Sequence, residues 1–307
     1  MSLRSAARPR RAISGVLLLD KPPGITSQSA VTRAKNLYSA AKAGHTGTLD
    51  PMATGLLPVA FGEATKFSNA LLDADKTYRA IVRLGMTTTT GDLEGTVVTR
   101  ASVNVDRAQL EAVLDQFRGD VMQMPPMYSA LKHAGKPLYV YARAGTEIER
   151  ALRQITISAL TLESYDGTDL TITVTCSKGT YIRVLAEDIG KALVCGATLA
   201  GLRRTKVGRY SVEDASALEA LGELDEEERM ARLLPVDALL AGLQSCALDA
   251  DRASQVVRGQ TVGCPEGLTP GLTRLYGPDQ AFLGVAEVVD ERWLRPRRLL
   301  ASEAVKA

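Results

Sequence analysis

The stretch GHTGTLDPMATG, residues 44–55, follows neither the helical nor the strand period. Glycine, threonine and proline at this density describe a structured loop, and loops held on a rigid scaffold are where chemistry is commonly placed. Within it, Asp50 followed by Pro51 has the form of a helix start: an N-cap carboxylate with proline at the first helical position. Local spacing therefore favours a structural Asp50 that opens a short helix. His45 reads equally well as a hydrogen-bonded loop histidine or as a functional one.

On the N-terminal side, ISGVLLLD (13–20) reads as a buried strand, stopped by the turn KPPGITS (21–27). A helix is expected over 28–42, with Val31, Ala34, Leu37, Tyr38 and Ala41 at helical spacing. Residues 1–11 hold almost nothing to bury and read as a flexible basic tail, with order beginning near Ile13. On the C-terminal side, Tyr78, Ala80, Val82 and Leu84 alternate along a half-buried strand over 77–85, and Asp106 caps a helix. The strands at 154–164 and 168–176 are joined by Asp166-Gly167, which is hairpin chemistry, and a helix follows over about 180–193. Residues 122–150 differ in character: they are rich in Met and Pro, then in Lys, His and Arg, with no acidic residue between Val121 and Thr146. They read either as an excursion that touches a polyanion or as a solvated hairpin. Past about Gln244 short strand-like pieces broken by Gly and Pro suggest a small β domain.

The chain has 307 residues, 45% of them hydrophobic, enough for a sizeable core and too many for a disordered protein. Its 37 Lys and Arg against 35 Asp and Glu leave a charge of only +2. That sum is a cancellation: residues 1–45 and 176–210 are strongly basic, and residues 211–251 are strongly acidic. The four cysteines form no close pair, and with only His45 and His133 a multi-histidine metal site is excluded. Acid–base chemistry must then rest on Asp, Glu, Tyr, Lys or Cys. No phosphate-cradling G-x-G-x-x-G or G-x-x-x-x-G-K-[ST] motif is present, which favours a cofactor-free reaction. No apolar run is long enough to span a membrane, and a soluble, cytoplasmic protein fits best.

The longer segment GHTGTLDPMATGLLPVAFGEATKFS (44–68) closely resembles the signature of the TruB family of tRNA pseudouridine synthases. KPPGITS (21–27), DKTYRAIVRLG (75–85), QMPPMYSALKHAGKPLYVYARAG (123–145), CSKGTYIRVLAEDIG (176–190) and LRRTKVG (202–208) resemble the family's other blocks, in its order. The resemblance implies an α+β catalytic domain over 12–244, with a mixed, mainly antiparallel central sheet flanked by helices. It also implies an inserted thumb loop at 122–150 and, over 245–307, a small β-rich PUA-like domain.

For function, the resemblance implies isomerisation of uridine 55 in the T loop of tRNA to pseudouridine, without metal or cofactor, by a monomer that binds the T stem-loop. It makes Asp50 the catalytic carboxylate, against the local reading, and Arg183 its ion-pair partner. It makes Tyr78 the ring that stacks on the target base and removes the final proton. Tyr181 and Leu202 match residues lining the uracil pocket, and His45 the histidine that fills the space left by the flipped nucleotide. Lys21 and Lys66 match basic residues near the cleft with phosphate-binding or structural roles. Two other readings compete. A non-catalytic tRNA-binding or tRNA-folding module would bind without turnover, and a glycoside hydrolase would need a second carboxylate, for which no candidate is visible beside Asp50.

Overall fold

The computed structural model describes residues 9–301. Its centre is an eleven-stranded mixed sheet. Seven strands matter here: β1 (Gly15–Lys21), β2 (Thr54–Phe61), β3 (Lys76–Leu84), β4 (Gly119–Gln123), β5 (Arg153–Tyr165), β6 (Asp169–Cys176) and β7 (Ala197–Val207). The path runs Ser216–Ala217, β1, β2, β7, β3, β6, β5, β4. Only the pairings of Ser216–Ala217 with β1 and of β7 with β2 are parallel along it. The expected mixed, mainly antiparallel sheet is therefore present.

Alternation explains which faces the helices cover. One apolar cluster joins Ala80, Val82 and Leu84 of β3 to helices α2 (Arg107–Asp115) and α4 (Ile182–Ala192). Asp106 caps α2 in a full capping box, as its position suggests. The other cluster joins Leu17 and Leu19 of β1 to Leu57, Val59 and Phe61 of β2 and to α1 (Ser27–Leu37). Tyr78 and Leu202 pack against both clusters, so the seam between them passes through these two residues. Helix α3 (Leu138–Arg143) lies in the excursion of residues 122–150, where Lys132–His133 pairs with Lys136–Pro137 as a short hairpin. Arg150 donates to the Pro125 carbonyl at 3.1 Å and ties the base of that excursion. A five-stranded β-rich sheet follows from Gln244 to Leu299. Phe282 and Val285 of this sheet pack with Phe67 and Leu239, which joins it to the main sheet. Arg292, Arg295, Arg297 and Arg298 are all exposed on its last strand and the turn before it.

Three local expectations are corrected. Helix α1 stops at Leu37, not at residue 42, because Ser39 turns into the left-handed region and Ala43–His45 pairs with β2. Asp50 does not cap a helix. The Ala53 amide donates to the Asp50 carbonyl at 3.1 Å, making a β-turn in which Pro51 holds the second position before β2 begins. Proline's fixed φ suits that turn as well as a first helical turn, so the dipeptide alone could not tell them apart. Order also begins before Ile13. Arg11 pairs with Glu226, its backbone bonds Ser39 and Ala41, and Arg10 bonds Asn36 at 2.9 Å. Residues 1–8 of the expected tail lie outside the described residues, as do residues 302–307 of the expected C-terminal domain.

Parallel pairing of β2 with β7 brings Gly55 opposite Arg204. Gly55 has φ +101°, and a Cβ there would collide with the Arg204 backbone. Gly55→Ala is expected to lower stability by about 2–4 kcal/mol, combining strain and overpacking. Urea denaturation checks it; an unchanged midpoint would contradict the close approach.

Candidate active site

The loop carrying Asp50 is held from four directions. The buried Ser27 hydroxyl accepts from the Leu49 amide at 2.8 Å and donates to the Leu49 carbonyl at 2.9 Å. The Gly24 amide donates to the Pro51 carbonyl at 2.9 Å. The Lys21 ammonium, fully buried at the end of β1, donates to the carbonyls of Pro22, Ile25 and Pro51 at 2.8, 2.7 and 3.3 Å. From β7, the Arg204 guanidinium reaches the Gly47 carbonyl at 3.2 Å. A loop with this many anchors presents its one free carboxylate in a fixed place.

That carboxylate meets Arg183. Residue 183 sits in the first turn of α4, with its side chain 6% exposed. Its Nε donates to Asp50 Oδ2 at 3.0 Å, while Nη1 and Nη2 donate to the carbonyls of Thr90 and Tyr128 at 3.0 and 2.7 Å. Asp92, also buried, stands 3.6 Å from the same Nε. Asp92 is itself fixed, its Oδ1 accepting from the Thr90 hydroxyl at 2.5 Å and from the Glu94 amide at 3.1 Å. A buried guanidinium is tolerated only when its charge and donors are matched, and here two carboxylates and two carbonyls match it. Asp50 is the more exposed of the two carboxylates, so it is the one a substrate can reach.

Two adjoining cavities, of about 590 and 540 Å³, share Asp50, Arg183 and residues Tyr128–Ala130 of the 122–150 excursion. The first is walled by Tyr78, Tyr181, Leu202 and Arg204, the second by His45, Asp92, Glu94 and Arg143. Burial raises the Tyr78 phenol above its ordinary value while the Arg204 guanidinium pulls against that rise. Burial also raises Tyr181, whose backbone is gripped at both N and O by the buried Gln123 amide, at 2.8 and 3.1 Å. Burial, then the Asp92 and Asp50 charges, raise Glu94. Ser129 Oγ, at the join of the cavities, is one of two buried hydroxyls left without a hydrogen-bond partner among the described residues. An unmatched hydroxyl in a cleft is available to a ligand. A more open groove of about 650 Å³, between α1 and the Leu218–Glu223 helix, holds none of these residues.

The structure thus brings Asp50, Tyr78, Arg183, Tyr181, Leu202 and His45 to one cleft. It does not bring Lys21 or Lys66 into the wall of either cavity. Lys21 is spent on carbonyls, and burial pushes its ammonium down to about 8. Lys66 instead donates to Glu63 at 2.7 Å and to the Leu299 carbonyl at 3.0 Å, clasping the C-terminal sheet. Asp92, Gln123, Ser27 and Arg204 were not singled out in the sequence. Asp92 lies in TTGDLEG (89–95), where Gly-Asp reads as a turn, and only a buried arginine's need for carboxylates could have pointed to it.

Comparison with known proteins follows the same residues. A model described as TruB family pseudouridylate synthase (N terminal domain) matches residues 35–182. Two C-terminal models match 183–241 (tRNA pseudouridylate synthase B C-terminal domain) and 245–300 (Pseudouridine synthase II TruB, C-terminal). A protein named tRNA pseudouridine synthase B from Methylobacillus flagellatus is 54% identical over 293 residues, covering 95% of this chain and 97% of its own length. The chain belongs to the TruB family of pseudouridylate synthases. Its relative of the same name from Cupriavidus metallidurans is 55% identical over 301 residues, 95% of this chain and 96% of that one. The fold is shared with the archaeal box H/ACA sRNP Nop10–Cbf5 complex: TM-score 0.72 at 24% identity, over 95% of this chain and 88% of that one. Among the described residues no helix is long and apolar enough to cross a membrane. Nor, among them, does any group of three or more His, Cys, Asp or Glu side chains form that could hold a metal ion.

Two outcomes follow from this geometry. Asp92→Ala frees one side of Arg183, and a misplaced guanidinium is expected to lower turnover on the order of 100-fold with RNA affinity nearly intact; single-turnover kinetics against equilibrium binding checks this. Burial, and secondarily Arg204, holds His45 below its ordinary value of 6.5. The unfolded chain then binds more protons, so the stability His45 contributes is complete above about pH 6.5 and falls as pH drops through its lowered folded value. NMR titration, with His133 as the second resonance, reads it directly.

Proposed function

We propose that the protein isomerises uridine 55 in the T loop of tRNA to pseudouridine, with Asp50 as the catalytic carboxylate. One observation carries the reading. A carboxylate is held at 3.0 Å on a buried guanidinium, in a cavity whose wall includes Tyr78, Tyr181 and Leu202. The relatives named tRNA pseudouridine synthase B, similar over nearly the whole chain, support tRNA as the substrate. The cytoplasm is the proposed place of action and a monomer the proposed working unit. Residues 122–150, with Lys132, His133, Lys136 and Arg143 exposed, are the proposed clamp on the T stem-loop.

The reaction breaks the bond from N1 to the ribose, turns the uracil and joins C5 to the ribose; one proton leaves C5 and one arrives at N1. No electrons are gained or lost overall. An ionised carboxylate suits the first step, because the sugar carbon becomes electron-poor as N1 leaves. Arg183, bonded to Asp50 at 3.0 Å, keeps that carboxylate aimed into the cavity. Leu202 and the Tyr78 and Tyr181 rings give the turning uracil an apolar wall and stacking faces without fixing it in one orientation. A uridine stacked in the T loop must be flipped out to reach Asp50, at roughly a few kcal/mol, and His45 in the adjoining cavity is placed to fill the vacated space.

The experiment is conversion of a T-arm stem-loop transcript without added metal or nucleotide. Wild type is expected to form pseudouridine, and Asp50→Asn to form none while binding the RNA within about tenfold of wild type. An Asp50→Asn variant with the wild-type rate would contradict the proposal, and binding without turnover by wild type would leave only an RNA-binding role.

A further inference from the structure

Arg204 is 1% exposed, yet among the described residues it has no carboxylate partner within salt-bridge distance. Its guanidinium donates to three carbonyls, Nε to Leu56 at 2.7 Å, Nη2 to Gly47 at 3.2 Å and Nη1 to Thr48 at 3.5 Å, and stands beside the Tyr78 phenol. Burying a cation against neutral acceptors is costly, and a fold that needed only packing there would be served by an apolar side chain. The residue also stands in a constructed position. Two irregularities in the pairing of β7 with β3, after Leu199 and after Arg204, bracket the segment, and Arg204 lies directly opposite Tyr78. Bulges beside a site re-aim side chains. Four groups around the cleft, Lys21, His45, Lys76 and Tyr78, feel its positive charge.

We propose that Arg204 is a positioning residue for the isomerisation: it fixes the Asp50 loop through the Gly47 and Thr48 carbonyls and supplies the positive charge against which the Tyr78 phenol exchanges protons with the uracil. The inference rests on the reading above that Asp50 and Tyr78 face the target base. The proton balance is simple. The bond from N1 to the ribose breaks with its electron pair left on N1, and the Tyr78 phenol gives N1 its proton. After the bond from C5 to the ribose has formed, the phenolate takes the C5 proton, the electron pair of that C–H bond restores the ring double bond, and the phenol is regenerated. No oxidant, reductant or water is consumed. The phenolate exists only between these steps, inside a cavity whose burial disfavours it, and Arg204 is the cation beside it.

The test compares Arg204→Met and Arg204→Lys in the full chain, by single-turnover conversion of the T-arm stem-loop and by RNA affinity. Arg204→Met is expected to lose on the order of 100-fold in rate with affinity within about threefold, and Arg204→Lys, which keeps the charge, to recover about tenfold of that loss. Equal losses in the two variants, or a rate loss matched by lost affinity, would overturn the proposal. If Arg204→Met does not fold, Tyr78→Phe is combined with Arg204→Lys: losses smaller together than their product support coupling through Tyr78, and multiplicative losses overturn it. Full activity of Asp50→Asn would defeat the functional reading itself, whereas an inactive Asp50→Asn beside a fully active Arg204→Met would defeat this inference alone.

Discussion

A buried guanidinium has to be matched, and Arg183 organises the cleft by that requirement. Its donors fall on groups from three separate parts of the chain: Asp50 in the loop before β2, Thr90 and Asp92 in the turn between the short strands Met86–Thr88 and Val97–Arg100, and Tyr128 in the excursion of residues 122–150. Each is far from the others in sequence, so the cleft forms only when the sheet is complete. The same contacts leave Asp50 as the one carboxylate lining the cavity that holds Tyr78, Tyr181 and Leu202.

The sheet supplies the frame for this arrangement. Parallel pairing of β2 with β7, possible because Gly55 has no side chain, brings Arg204 beneath the Asp50 loop. Antiparallel pairing of β7 with β3 sets Leu202 opposite Ala80 and Arg204 opposite Tyr78. The two cations differ in how they are satisfied. Arg183 is paired with carboxylates and sets their geometry, whereas Arg204 rests on carbonyls and leaves its charge to act on its neighbours.

Much of this was legible in the sequence, and for identifiable reasons. Alternation along β3 marked a strand, Asp166-Gly167 marked the hairpin of β5 and β6, and Asp106 marked a capped helix, because each depends on residues close in sequence, whereas the sheet they join was readable only through the family resemblance. Asp50, Tyr78, Arg183, Tyr181, Leu202 and His45 were readable only through the family's motif blocks; local spacing favoured a helix cap at Asp50, and a turn stands there. Asp92 and Gln123 were missed because their importance lies in contacts with residues many positions away. Lys66 shows the reverse: a basic residue inside the motif block, expected near the cleft, whose charge is used to hold the C-terminal sheet.

The central claim is that Asp50 drives an isomerisation in which C5 replaces N1 on the ribose. The most direct measurement is the release of tritium from a T-arm stem-loop carrying [5-³H]uridine at the target position, since C5 must lose its hydrogen when it becomes the glycosidic carbon. The account predicts one tritium released per pseudouridine formed by wild type, none by Asp50→Asn, and no free uracil from either. Free uracil, pseudouridine without tritium release, or undiminished release by Asp50→Asn would contradict it.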